Sequence, residues 1–321
     1  MRGFVKRRPF LFFYCLALVL FTGGIGLGIY IEPNYLEISM QKMEALGFNH
    51  GSVFVSAALL QNGPVWILGF IIPGAPAIAA VVTTIIIGEP GAMKRLFARF
   101  KPVGEGITGR EALIQYAILL ACGITVVAAG LSYSSIVYGD AGVQQCLDNL
   151  RASSPLLMIS MFFLACFTEE GALLEELGWR GFALPLLMQR LKTPLHAAII
   201  LGVAWSFWHF ARNVMPLIYG MPLWDWVLSE LNFLTGAIAS TVVMVYFVNR
   251  LGGSIIPAIF IHGLGNYGFN YIAGDDPVVL GFTFDTFIRV VGALIVIAIA
   301  GQNLGLRRET LPGPALQSNS F

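Results

Sequence analysis

Long apolar runs separated by short polar stretches dominate the chain. A hydrocarbon core about 30 Å thick takes about 20 residues of helix. Eight runs approach or exceed that length: 10–31, 64–87, 112–135, 154–173, 195–212, 230–248, 254–273 and 279–303. A shorter apolar piece, 181–188, follows the fourth and contains Pro185. The pattern predicts an all-α polytopic membrane protein of about eight transmembrane helices in one bundle. Segment 35–50 is more polar, with Leu36, Ile38, Met40, Met43 and Leu46 spaced as a partly amphipathic interfacial helix. The tail from Pro312 onward reads as disordered. A run from 154 to 188 would be roughly 52 Å long as one helix, so the fourth helix is expected to tilt, extend or break near Gly171 or Gly178.

Composition supports this picture. Of 321 residues, 57% are hydrophobic and 12% charged, with a mean hydropathy of +0.77; a soluble domain carries about 25% charged residues. The net charge of +1 and the lack of any basic run point away from nucleic acid. Cys15, Cys122, Cys146 and Cys166 are far apart and form no CxxC, so neither a disulfide framework nor a thiolate metal site is indicated. The basic start, with Arg2, Lys6, Arg7 and Arg8, precedes an apolar run too long for a signal peptide. It is therefore expected to be a retained helix. Basic residues recur in alternate loops at Lys94–Lys101, Arg190–Lys192, Arg250 and Arg307–Arg308. The loops between them hold Glu32, Glu37, Glu44, Asp140, Asp148, Asp225, Asp275 and Asp276. By the positive-inside rule both termini are cytoplasmic. No internal repeat of the kind common in transporters is visible.

Against this background the charges inside the apolar runs stand out. Each ionised group at a bilayer centre costs roughly 2.5–3.5 kcal/mol on insertion scales. In 174–184, LEELGWRGFAL, Glu176 and Arg180 are four apart in the favourable order for an intrahelical pair. Glu175, rotated about 100° around the helix, is left for another neighbour. In 205–209, WSFWH, Trp205 and His209 share a face; taken alone, with Trp208, Phe210 and Arg212, the stretch also fits an interfacial aromatic belt. In 262–266, HGLGN, His262 and Asn266 share a face, and Gly263, Gly265 and Gly268 clear space beside them. His50 and His196 read as loop and helix-entrance residues. Asp285 and Arg289, four apart, read as a structural pair, and Glu169 and Glu170 as polar lining.

A carboxylate with two neutral imidazoles can bind a divalent metal such as Zn through Glu175, His209 and His262. The same three groups can instead hold and polarise a single water without metal. A nearby carboxylate can serve as general base, and Asn266 can donate its amide to an oxyanion. The combination suits amide hydrolysis. HExxH and GxSxG are absent, which sets aside the zincin and serine-hydrolase solutions.

Glu175-Glu176-x-x-Trp179-Arg180-Gly181 resembles the EExxxR motif of the CPBP family of CAAX-protease and bacteriocin-processing intramembrane proteases, also called Abi proteins. His209 matches the histidine of the family's FxxxH motif, with Trp205 in place of the phenylalanine; His262 and Asn266 match its HxxxN motif. The resemblance covers about 154–270. It implies an α-bundle with an intramembrane cavity open to the cytosol, and a type II CAAX prenyl endopeptidase-like activity. In the roles it implies, Glu175 is the base. His209 and His262 position water or metal, Asn266 stabilises the oxyanion, and Glu176, Arg180 and Trp205 support. The substrate would be a membrane-associated peptide, prenylated or leader-bearing, and the home membrane a prokaryotic plasma membrane. The chain then divides into 1–153 with three helices, a catalytic core at 154–273, and 274–321 with the last helix and a cytoplasmic tail. A non-enzymatic scaffold or immunity protein, or a proton-coupled transporter using the same charges, are the other classes these residues allow.

Overall fold

The computed structural model describes residues 2–32, 52–139, 154–268 and 282–306, with positions 34, 35, 38, 41, 144, 278 and 279. Most of the expected interfacial helix over 35–50, Glu37, Glu44, His50, Cys146, the loop acids at 140, 148, 275 and 276, and the tail from 312 lie outside the described residues.

The chain opens with a short helix, α1 (Arg2–Arg7), and α2 (Pro9–Ile31), which has Pro9 at its first turn where no backbone donor is lost. Next come α3 (Val53–Leu59) and, after a tight turn at Pro64–Ile67, α4 (Leu68–Ile87). Helix α5 (Ala92–Phe97) leads to α6 (Gly109–Tyr138), which a capping box between Thr108 and Glu111 starts. The motif-bearing run follows as α7 (Pro155–Thr168), α8 (Glu170–Glu176), a π-helical stretch Leu177–Ala183, and α9 (Leu184–Arg190). Then come α10 (Pro194–Trp208), α11 (Phe210–Asn213), α12 (Met215–Ile218) and α13 (Leu223–Arg250). The chain continues through α14 (Ile256–Gly263), a second π-helical stretch Leu264–Gly268, and α15 (Phe284–Ala300).

The all-α class holds, apart from a two-residue antiparallel pairing of Val278–Val279 with Phe282–Thr283. Among the described residues five helices are long and apolar enough to cross a membrane: Pro9–Ile31, Pro64–Ile87, Gly109–Val137, Leu223–Arg250 and Phe284–Asn303. A sixth arises if Pro194–Trp208 and Phe210–Ile218, bent by 45° at His209, form one span. Two of the eight expected spans differ most. The fourth ends at Thr168 because Glu169 leaves helical geometry (φ −58°, ψ 129°) to cap α8 with its own side chain. The described helix of the seventh is α14, followed by the π-stretch. The sixth is longer than its apolar run, since 223–229, with Trp224 and Asp225, extends it at the start.

Helix α10 lies against α13, α13 against α15, α2 against α4, and α8 with its π-stretch against α4. The last contact depends on Gly178. A Cβ there would stand 2.5 Å from the backbone carbonyl of Pro76. Pro76 and Pro73 sit inside α4, where proline leaves no N–H for the helix ladder. The core beneath is aromatic: Trp179 meets Phe13 at 5.4 Å and Trp208 at 5.7 Å between ring centres. Trp208 Nε1 donates to the Ala17 carbonyl at 3.1 Å, fastening α10 to α2. On the outside, Val19, Ile85, Leu113, Ile124, Ile136 and Ile299 are exposed, as lipid-facing positions of spanning helices are.

Candidate active site

Apart from Trp205, which lies one turn before the end of α10, the sequence-predicted site residues lie at or beside helix interruptions. Glu175 and Glu176 close α8 just before the first π-stretch, which carries Trp179 and Arg180. His209 sits at the bend between α10 and α11. His262 is in the last turn of α14, and Asn266 lies in the π-stretch that follows. A π-turn adds a residue to the helical ring and re-aims the side chains around it, and such turns are frequent at functional sites.

The interruptions converge on a cavity of about 500 Å³, within the range of small-ligand sites. Glu175, His209, His262, Asn266 and Trp205 line it, with Phe21 and Ile25 of α2 as an apolar wall. Both carboxylates are buried, but they divide sharply. Glu175 Oε2 accepts from the indole N–H of Trp205 at 2.8 Å and of Trp179 at 3.3 Å. Its other oxygen, Oε1, stands 4.0 Å from His209 Nε2. Glu176 turns away from the cavity lining, and its Oε1 accepts from Arg180 Nη1 at 2.7 Å and His262 Nδ1 at 2.9 Å. Arg180 also donates to Thr241 Oγ1 of α13 at 2.7 Å and lies over the Trp205 ring, 4.5 Å from its centre.

The expected division, with Glu175 meeting both histidines and Glu176 only the arginine, holds for His209 and differs for His262. The long reach from Glu176 to α14 is a tertiary contact that no i, i+4 spacing encodes. It has a chemical consequence. The His262 Nδ1 faces a carboxylate, and the His209 Nδ1 faces the Trp205 carbonyl at 2.9 Å. Both partners only accept, so each Nδ1 carries the hydrogen, and in the neutral rings each Nε2 keeps its lone pair.

That tautomer is the one a metal ligand needs. Even so, among the described residues no three His, Cys, Asp or Glu side chains converge as a metal site. Glu175 and His209 approach each other, while His262 is drawn towards Glu176. The expected trio of Glu175, His209 and His262 thus shares one cavity, with His262 Nδ1 engaged by Glu176, without forming a closed ligand set among the described residues.

Glu169 and Glu170 line the cavity, as their place in the sequence suggests, and each has a further partner. Glu169 accepts from the N–H groups of Gly171 (3.1 Å) and Ala172 (2.6 Å), so it caps α8 and fixes the start of the glutamate helix. Glu170 accepts from Ser56 Oγ of α3 at 2.5 Å. Asp285 and Arg289 form the expected pair, at 2.9 and 2.6 Å, but they also line the cavity. Arg289 stands where a side chain on Gly265 would be, with Nη2 2.8 Å from that Cβ position, beside Asn266. Arg212 lines the cavity one turn beyond His209. Its i, i+3 spacing from His209 was the available signal; beside tryptophans it read as part of an interfacial belt.

Comparison with known proteins agrees with the matched motifs. Residues 151–268 match the family model described as Rce1-like type II CAAX prenyl endopeptidase. A curated relative, "CAAX prenyl protease 2" of Methanococcus maripaludis, is 31% identical over 134 residues, which are 40% of this chain and 45% of the relative. The chain thus spans about half the length of the curated relative it matches. The match contains Glu175, Glu176, Arg180, His209, His262 and Asn266, and leaves α1 to α6 and α15 outside it. In its motifs and in sequence, segment 151–268 is thus similar to the Rce1-like type II CAAX prenyl endopeptidases.

Proposed function

We propose that the chain is an intramembrane endopeptidase that hydrolyses a peptide bond of a membrane-associated substrate, in the manner of a CAAX prenyl endopeptidase. The observation that carries the reading is the 4.0 Å gap between Glu175 Oε1 and His209 Nε2 inside a cavity. Both atoms are acceptors. A water between them donates one hydrogen to each and keeps a lone pair for a carbonyl carbon. Glu175 takes the proton as the water attacks and returns it to the leaving amine. The Asn266 amide donates to the oxyanion. The Glu176 contact holds Nδ1 of His262, a residue of the cavity lining, and leaves its Nε2 free for the water or substrate. The indoles of Trp179 and Trp205 keep Glu175 Oε2 occupied, so Oε1 is the oxygen that works.

In this reading the catalytic core is 154–273, and the flanking helices, α2 above all, supply its wall. The positive-inside pattern supports cytoplasmic termini, and in this reading the home membrane is a prokaryotic plasma membrane. A divalent metal at Glu175, His209 and His262 remains the second chemical solution, favoured by the free Nε2 atoms of both histidines.

The test is comparative analysis of peptide termini in cells carrying the wild type, Glu175→Gln, His209→Ala or His262→Ala. Loss of a general base corresponds to about 10²–10⁴-fold in rate, so new termini present with the wild type are expected to vanish with each variant. Unchanged termini in all three would leave the scaffold or transporter readings. Activity abolished by a chelator and restored by Zn would install the metal solution.

A further inference from the structure

The stretch from His262 to Asn266 is held from three sides, and one of them lies outside the segment 151–268 that matches the family model. His262 is taken by Glu176, whose other partner, Arg180, donates to Thr241 Oγ1 of α13. Gly263 lies against α7, where a Cβ would run into the Cys166 carbonyl. Gly265 lies against Arg289 of α15, with Nη2 2.8 Å and Cζ 3.3 Å from the position a Cβ would take. The other edges of that guanidinium are fixed. Nε donates to Asp285 Oδ1 at 2.9 Å, Nη2 reaches Asp285 Oδ2 at 2.6 Å, and Nη1 donates to Ser240 Oγ at 3.1 Å. Ser240 and Thr241 are neighbours on α13, so one dipeptide anchors both arginines. Gly236, one turn earlier, lets α15 approach: a Cβ there would stand 3.1 Å from Thr286 Oγ1 and 3.8 Å from Arg289 Cδ.

An Asp–Arg pair four apart on one helix adds little by itself, and it calls for no glycine on another element. Here Asp285 and Ser240 satisfy the guanidinium, so what Arg289 offers the cavity is a rigid, planar side chain set against backbone. The backbone it meets is a π-turn, an uncommon geometry that depends on what packs around it. The next residue in that turn is Asn266, and Asn266 and Arg289 both line the cavity. Resting on the endopeptidase reading, we propose that Arg289 is a positioning residue for Asn266, a buttress that fixes the turn from which the Asn266 amide reaches the oxyanion. Arg289 touches no reacting atom and acts through Asn266. The site is then incomplete within 151–268, because α15 supplies the support of its oxyanion donor.

The experiment uses the full-length protein in proteoliposomes, with an S-farnesylated peptide carrying three residues beyond its cysteine as the probe. Loss of an oxyanion donor lowers kcat about 10²–10³-fold, and a displacement of about 1 Å can cost 10²-fold. Arg289→Met is therefore expected to lower kcat about 10–100-fold with KM near the wild-type value. In an Asn266→Ala background the same change is expected to cost nothing further. A full, multiplicative loss in that background means that Arg289 does not act through Asn266, and overturns the inference. The exchanged pair, Asp285→Arg with Arg289→Asp, keeps an ion pair but takes the guanidinium away from Gly265, and is expected to stay slow. Recovery of wild-type kcat there shows that the ion pair alone matters, and also overturns it. Hydrogen exchange at 264–268, read by mass spectrometry, tests the buttress without activity: Arg289→Met should raise it and leave α8 unchanged. If the wild type cuts no probe but exchange rises in the variant, the hydrolysis reading falls and the buttress stands. Unchanged exchange at 264–268 sinks the buttress whether or not the probe is cut. If Arg289→Met does not fold, Ser240→Ala, which removes one hydrogen bond to the guanidinium, decides by the same two readings: lower kcat only where Asn266 is present, and faster exchange at 264–268.

Discussion

Helix α6 runs from Gly109 to Tyr138 without interruption, and Leu113, Ile118, Ile124 and Ile136 are exposed along it. The run from Pro155 to Arg190 is of similar length but changes geometry at Glu169, at Leu177 and at Leu184. The unbroken helix satisfies its backbone internally and can present side chains only at helical spacing. The broken one buries Glu169, Glu175, Glu176 and Arg180 and aims each at a different partner. Irregular backbone at membrane depth is tolerated where protein or a cavity surrounds it, and here both do. Spanning is the task of the regular helices, and chemistry is gathered where the helices are interrupted.

The widest separation that this contrast predicts lies between adjacent residues. Arg180→Met leaves Glu176 as a buried charge that keeps His262 alone as a partner. Breaking a buried pair from one side costs about 3–5 kcal/mol, so the variant is expected to unfold well below the wild type in detergent thermal melts. Glu175→Gln, one residue from Glu176, keeps an oxygen for the two indole donors. It is expected to melt within about 1 kcal/mol of the wild type while losing activity. Equal destabilisation of the two variants would erase the distinction between a structural and a reacting carboxylate.

The same contrast explains what was legible in the sequence. Apolar run length located α2 and α4 with its preceding turn nearly to the residue, and α6 to within three residues at each end, because a regular span is a one-dimensional property. Glu176 and Arg180 were readable as a pair because both lie on one helix. Hidden were the contacts between segments distant in sequence: Glu176 with His262, Arg180 with Thr241, and Trp205 with Glu175. The capping role of Glu169 was hidden too, since an acid beside another acid in an apolar run carries no mark of a helix break. The motif resemblance supplied the grouping of Glu175, His209, His262 and Asn266; spacing alone supplied only the pairs within each helix.

A middle-sized effect is expected at glycines. Gly178→Ala pushes a methyl against the Pro76 backbone, with no flexible side chain to yield. Forcing atoms into a packed interface costs about 1–3 kcal/mol, and the shift would also move the π-stretch that holds Trp179 and Arg180. Gly26 in α2 has nothing within 4 Å of the corresponding position. Gly26→Ala is expected to be neutral or to stabilise by about 0.4–1 kcal/mol, as a glycine replaced by alanine in helical geometry does. Paired thermal melts check both signs, and a tolerated Gly178→Ala would show that α4 and the π-stretch are not in rigid contact.

The smallest effect is expected on the lipid face, where the contrast predicts almost nothing. Ile124 is 61% exposed on α6, and Leu201 on α10 is fully buried among the core residues. Ile124→Val removes a methylene that contacts hydrocarbon in both folded and unfolded-in-membrane states, so no packed cavity forms and the change should stay within about 0.5 kcal/mol. Leu201→Ala opens a hole in the packed core around α10, and such holes cost about 2–5 kcal/mol. If Ile124→Val were instead as costly as a core truncation, the exposed face of α6 would have to be covered by protein. The division between lipid-facing spans and a chemical interior would then have to be redrawn on that side of the bundle.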